Sequence, residues 1–306
     1  MKITVVGAGN VGATLAQRLI EKNFADIALV DVIEGIPQGK TLDMRQSANV
    51  LGFTHNLAGS NSYDVTAGSD IVVITAGIAR KPGMTRDELI GINAKIVREV
   101  VEKSLALSPG AIFIIVTNPV DTMTYLTLKV SGLPRNRVFG LSGVLDGGRL
   151  AAFIAEELNV NSSDVIPCVM GEHGGNMVVY PRFTTVKGQP LSDLVNEAKQ
   201  KALTERTVNG GAEIVSIMKT SSAFYAPSAS VAHMVGAIAR DSGAQMNCAA
   251  YLDREYGLSD VVIGVPVKLG RTGILEIIEL PLNAGEKAAL EASAEAVRKT
   301  ISALNL

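Results

Sequence analysis

The chain has 306 residues, 47% of them hydrophobic and 19% charged, with a formal charge of −2. That length permits two domains of ordinary size, and a near-neutral balance without lysine and arginine runs excludes the electrostatic footprint of a nucleic-acid binder. Two isolated cysteines, Cys168 and Cys248, argue against a secreted disulfide scaffold and a metal knuckle and fit a reducing cytoplasm, and no apolar run approaches the length of a membrane span.

Residues 3–6 read as a buried strand, and Gly7-Ala-Gly9-Asn10-Val11-Gly12 as a glycine turn opening a helix. A second strand over 27–30 ends at Asp31. This order describes a dinucleotide site: Gly7 permits the tight turn, Gly9 lets the backbone approach a pyrophosphate, and Gly12 allows helix and strand to pack closely. The phosphates then face free N–H groups at the positive end of the helix. Asp31 can accept from both ribose hydroxyls and would repel a 2′-phosphate, which favours NAD over NADP.

Residues 71–74 and 112–116 are further strands rich in β-branched residues, so the chain to residue 141 reads as a doubly wound parallel α/β (Rossmann) sheet. Thr85 and Glu88 form a capping box, after which Leu89, Ile92, Ile96, Val97, Val100 and Val101 follow at helical spacing. Residues 78–84, with Arg80 and a Pro82-Gly83 pair, are left as a loop at the carboxyl end of a central strand. Ligands bind there in such sheets, so a hinged lid is one reading and an ordinary solvated turn the other.

Residues 142–306 read as a second, α+β domain. A helix is expected from Leu145, a strand over 165–170, a hairpin strand over 180–186 with its turn at Lys187-Gly188, and a helical stretch over 192–219 interrupted at Gly210-Gly211. Strands over 261–269 and 274–280 bracket Gly270 and Gly273, and Asn283 with Glu286 caps a last helix. Its stripe of Leu290, Ala294, Val297, Ile301 and Leu304 is a packing face.

Of three histidines, His173 sits in Gly171-Glu-His173-Gly-Gly after a buried strand, where small neighbours leave room for a ligand beside the ring. His55 falls in a polar connection and His233 in a helical pattern, positions that are structural or merely exposed. Asp146 and Arg149 are three apart on one helix face. Either they form a surface ion pair, or Asp146 accepts from His173 Nδ1–H while Arg149 offers a fork to a carboxylate. Cys168, five residues before His173, allows a cysteine–histidine metal reading, but an apolar strand is the usual place of an inert thiol, and no metal is expected.

The fingerprint with Asp31, the Arg80 to Arg86 loop, Thr117-Asn118-Pro119, Asp146-x-x-Arg149 and Gly171-x-His173-Gly resemble, in order and spacing, the lactate/malate dehydrogenase family, within it the lactate-dehydrogenase-like malate dehydrogenases of bacteria. The resemblance implies that His173 is the proton donor and acceptor, Asp146 its orienter, and Arg149 the clamp for the C1 carboxylate. It implies that Arg86 polarises the reacting carbonyl, that Asn118 bonds the substrate oxygen and touches the cofactor, that Val116 lines the nicotinamide pocket, and that Asn93 joins the cofactor set. Arg80 takes the place where the lactate enzymes carry glutamine and would meet a second carboxylate, so the substrate is malate. A cytoplasmic enzyme of the tricarboxylic acid cycle is implied, a homo-oligomer with a tetramer favoured over a dimer. With the first strand starting at the amino end, subunits would meet through helix faces rather than a terminal arm.

Two departures stand out. Gly175 stands where an acid commonly follows His-Gly in the family, and Gly147-Gly148, which separates Asp146 from Arg149, weakens the first helical turn; the two departures leave the rigidity of the histidine and its neighbours open. A redox-silent NAD-binding protein and a lactate dehydrogenase are the rival readings, separated by turnover and by substrate preference.

Overall fold

The computed structural model describes residues 1–79 and 83–304. Six strands, β1 (Lys2–Val6), β2 (Asp26–Val30), β3 (Leu57–Ser60), β4 (Ile71–Ile74), β5 (Ile112–Ile115) and β6 (Val138–Leu141), lie parallel in the order 3-2-1-4-5-6. The strands β4, β5 and β6 are buried along their whole length, which is why their sequences are apolar at every position instead of alternating. The connections carry α1 (Asn10–Glu21), α2 (Ile36–Gln46), α3 (Ala48–Leu51), α4 (Arg86–Leu107) and α5 (Val120–Ser131). Leu15, Ala16, Leu19 and Ile20 of α1 recur on one face and pack into the core with Ile3, Leu29 and Ile71. The expected capping box starts α4, with Thr85 Oγ1 accepting from Glu88 N–H and the Glu88 carboxylate accepting from Thr85 N–H.

The remaining elements are α6 (Gly143–Leu158), β7 (Val165–Ile166), β8 (Val169–Gly171), β9 (Met177–Val179), β10 (Thr185–Val186), β11 (Gln189–Pro190), α7 (Leu191–Leu194), α8 (Glu197–Met218), α9 (Tyr225–Ala239), β12 (Ala244–Asp253), β13 (Ser259–Gly270), β14 (Gly273–Ile277) and α10 (Ala284–Ile301). The parallel sheet does not end at β6. Strand β12 pairs antiparallel with it, Cys248 opposite Leu141, and β13, β8 and β9 extend the same sheet while β14 pairs with β13. Val231, Val235, Cys248 and Ile263 therefore share a core with Ile3 and Leu29.

Several expectations need correction. The strand over 165–170 is two strands in different sheets. Pro167 has no N–H for a ladder, so β7 joins β10 and β11 while β8 enters the large sheet. Residues 180–184 form a turn, in which Phe183 and Thr184 N–H groups donate to the Tyr180 carbonyl; the strand is only Thr185–Val186, and β9 precedes it. The helix over 192–219 breaks at Val195-Asn196, where Asn196 caps α8 through Lys199 N–H, and runs unbroken through Gly210-Gly211. Those two glycines leave room for the Arg149 side chain, whose Cδ lies 3.2 Å from where a Gly210 Cβ would stand. Helix α6 begins at Gly143, two residues before Leu145, β14 ends at Ile277, and Leu304 is buried just beyond α10. No helix among the described residues is long and apolar enough to cross a membrane.

Candidate active site

The carboxyl ends of β1, β2 and β4 open onto a cleft of about 450 Å³ lined by Gly7, Gly9, Asp31, Asn61, Thr75, Gly77 and Ile78 among others. Gly7 adopts φ +105°, and a Cβ on Gly12 would stand 1.8 Å from the Gly7 carbonyl oxygen, so the turn and the helix start have no space for side chains. A Cβ on Gly9, by contrast, meets no protein atom within 4 Å and would occupy the open space before α1. Gly9 caps α1 without a side-chain bond and the first turn carries no acid, which leaves its N–H groups to an anion. The Asp31 carboxylate is oriented by Ala8 N–H at 2.6 Å and Ile33 N–H at 2.9 Å, one to each oxygen. Asn61, which the sequence alone did not single out, donates to the carbonyls of Asp31 and Ile33 and holds that corner of the cleft. These features fit a dinucleotide with its pyrophosphate on α1 and a ribose on Asp31.

The lining of a second cavity, of about 330 Å³, joins Val11, Val116 and Asn118 to Leu145, Arg149 and His173. The two catalytic candidates meet there. His173 Nδ1–H donates to Asp146 Oδ2 at 2.7 Å, and Arg149 Nη1 donates to Asp146 Oδ1 at 2.8 Å, so one carboxylate holds both ring and guanidinium. Asp146 is 1% exposed, which removes the surface ion-pair reading. Burial pulls the His173 imidazole down, but the charge and hydrogen bond of Asp146, then the charge of Asp121, more than offset it, and its pKa stands above the ordinary histidine value. Arg149 Nε is buried without a partner, an unused donor at the cavity wall. Ser222, Ala223 and Pro227 complete that wall, whereas Tyr225 is exposed.

Other site residues are placed differently. Asn93 is fully buried and lines neither cavity: its amide donates to the Ile78 and Asn118 carbonyls and its oxygen accepts from Ile78 N–H, which ties the loop after β4 to the Asn118 turn. Asn10 donates to Ser221 Oγ at 3.1 Å. Arg86, the first residue of α4, pairs with the buried Glu172 carboxylate next to His173. Arg80 lies outside the described residues.

Glu172 is a residue that sequence reasoning passed over. Besides Arg86, its carboxylate accepts from Asn176 N–H and the Asn176 amide, and its own N–H donates to Ser293 Oγ, which in turn donates to the Asn176 carbonyl. The Gly174-Gly175 turn is thus closed by polar contacts from Glu172, Asn176 and Ser293. Asp121 was also missed; it accepts the His173 backbone N–H at 2.8 Å. Cys168 lies buried between β7 and β8, burial pushes its thiol up to about 12, and no metal-binding group of acids, cysteines and histidines occurs among the described residues.

Two family models match the chain. The NAD binding domain of lactate/malate dehydrogenase matches residues 1–140, and the alpha/beta C-terminal domain of lactate/malate dehydrogenase matches residues 143–305. The malate dehydrogenase of Dehalococcoides mccartyi is 67% identical over 305 residues, 100% of this chain and 99% of that protein. The solved structure of malate dehydrogenase from Salinibacter ruber superposes with a TM-score of 0.95 at 47% identity, covering 99% of this chain and 97% of that one. Malate dehydrogenase from Plasmodium falciparum in complex with NADH superposes with a TM-score of 0.92 at 33% identity, covering 99% and 98%.

Proposed function

Since the chain belongs to the lactate/malate dehydrogenase family, we propose that it is an NAD-dependent malate dehydrogenase interconverting (S)-malate and oxaloacetate. The observation that carries this reading is the single buried carboxylate of Asp146 holding both the His173 ring and Arg149, which line one cavity together with Val116 and Asn118 from the loop after β5. The relatives named above are malate dehydrogenases, one of them bound to NADH. We read residues 1–141 as the nucleotide domain and 142–306 as the substrate domain, a division supported by the change from parallel to antiparallel pairing at β6.

NAD, which the Gly7–Gly12 turn and Asp31 would hold, would supply the hydride acceptor for C2 of the substrate. His173 takes the C2 hydroxyl proton through Nε2 and returns it in the reverse reaction, and Asp146 stabilises the imidazolium and keeps the other ring nitrogen protonated. Arg149 binds the C1 carboxylate with its free donors, and Asn118 bonds the substrate oxygen. Arg86 leaves or shares Glu172 to reach the carbonyl when the loop closes. Asn93 serves the cofactor through the Ile78 and Asn118 backbones. Arg80 meets the C4 carboxylate; with pyruvate it would be left desolvated and unpaired, a cost of ~1.5 kcal/mol or more and thus over tenfold in preference.

The test is oxidation of NADH by the purified protein with oxaloacetate and, separately, pyruvate. Turnover with oxaloacetate that Arg80→Gln shifts toward pyruvate supports the assignment. Pyruvate preference in the unsubstituted protein overturns the substrate, and NADH binding without turnover overturns the catalytic reading in favour of a redox-silent protein.

A further inference from the structure

Asp121 stands in the first turn of α5, three residues beyond Asn118, and is 3% exposed. Its Oδ2 accepts the peptide N–H of His173, 52 positions away, and its Oδ1 finds no hydrogen-bond partner. A neutral asparagine or threonine could accept that N–H equally well. A carboxylate with an orphan oxygen in a dry site is costly unless an opposite charge faces it, and the cation that can form beside it is the His173 imidazolium. The other groups facing the ring are Asp146 and Arg149 from α6; Glu172, adjoining His173 in the chain, carries Arg86 from α4. Asp146 and Arg149 are paired to each other, and Glu172 and Arg86 likewise, which among the described residues leaves Asp121 without a cation of its own.

We propose that Asp121 is a positioning residue of the reaction, whose carboxylate anchors the His173 backbone from behind the Asn118 turn and acts as a second anion, beside Asp146, that favours the protonated ring. The inference rests on the acid–base role assigned to His173. Burial pushes the Asp121 carboxyl up to about 7 against the pull of the His173 charge and N–H, so the charge states of the two groups are linked. Anion and imidazolium support each other, and loss of the anion lowers the affinity of the ring for its proton.

Asp121→Asn keeps a carbonyl acceptor for the peptide N–H and removes the charge. The imidazole midpoint of His173 can be read directly by NMR, since the chain has only His55, His173 and His233. In Asp121→Asn it is expected to fall by about one pH unit. Near neutral pH the oxaloacetate-reducing rate, which needs the protonated ring, then falls, while the malate-oxidising rate at low pH rises. An unchanged midpoint, or equal loss in both directions, overturns the proposal. Should the variant fail to fold, the carboxyl carbon resonance of Asp121 in the unsubstituted protein decides: it must change through the pH range in which the His173 ring titrates, and a flat resonance there overturns the proposal. Absence of turnover in the unsubstituted protein would remove the proposed function, whereas the NMR midpoints still decide the link between Asp121 and His173.

Discussion

Asp146 serves His173 and Arg149 at once, so each of the three residues is tested by a different signature. Replacing His173 with Gln is expected to lower kcat by about 10²–10⁴-fold in both directions, since no other described residue lining the cavity is an ordinary proton donor and acceptor near neutral pH. The His173 pKa is raised by Asp146 above the ordinary value. Oxaloacetate reduction, which needs the imidazolium, should therefore hold at neutral pH and fall as pH rises through that raised value, and malate oxidation should rise there. A pH–rate profile for both directions checks this, and a flat profile removes His173 from the role. The pairing of Asp146 with Arg149 was legible because three residues along a helix fix two side chains on one face. Asp121 and Glu172 were not legible, because an acid beside a motif looks the same in sequence whether it is solvated or buried.

At the scale of elements, the doubled glycine before Arg149 divides into two different cases. A Cβ on Gly147 would stand 2.8 Å from Pro167 Cγ, so α6 and the β7–β8 connection pack there without a side chain. Gly148 is exposed, with nothing within 4 Å of its Cβ position. Gly148→Ala should accordingly stabilise the fold by about 0.5–1 kcal/mol and Gly147→Ala destabilise it by about 1–3 kcal/mol, both read from urea unfolding. Thr85→Ala removes the hydroxyl half of the α4 capping box and should cost about 1 kcal/mol in the same assay. The helix starts at Thr85 and Asn283 were readable since capping is local chemistry. The split of residues 165–170 was not, because two sheets compete for one apolar run and Pro167 decides between them only when both are in place.

For the whole molecule, buried titratable groups set the pH dependence of stability. Asp121 has a folded pKa near 7 against 3.8 as its ordinary value, and His173 is raised as well. Between those limits the folded state binds more protons than the unfolded one, so stability falls as pH rises from about 5 toward 8. The lowered carboxyls of Asp26, Asp260, Glu255 and Glu286 contribute in the opposite sense, but their stabilisation is already complete above their ordinary values near 4. Urea midpoints at pH 6 and pH 8 should thus decrease with pH, and the slope should shrink in Asp121→Asn. Ile36 and Leu42 of α2 and Val50 and Leu51 of α3 form exposed apolar surface. Sedimentation velocity should find a homo-oligomer, in line with the tetramer expected from the family resemblance, and a monomer at micromolar concentration would contradict that expectation.

Sequence alone was enough for much of what local geometry dictates: the glycine spacing and Asp31 of the nucleotide turn, the apolar strands β4 and β5, the helix starts capped at Thr85 and Asn283, and the Asp146-x-x-Arg149 face, though not the Asn196 cap of α8. Each depends on neighbours within a turn or a strand, where residue type and backbone conformation are directly coupled. Tertiary structure decided what long-range packing controls: the joining of β6 to β12 in one sheet, the burial of Glu172 and Asp121, the closure of the histidine turn, and the single carboxylate shared by ring and guanidinium. Those contacts exist only after chain segments dozens of residues apart have excluded water between them, and the cost of burying a charge, which makes them informative, arises at that step.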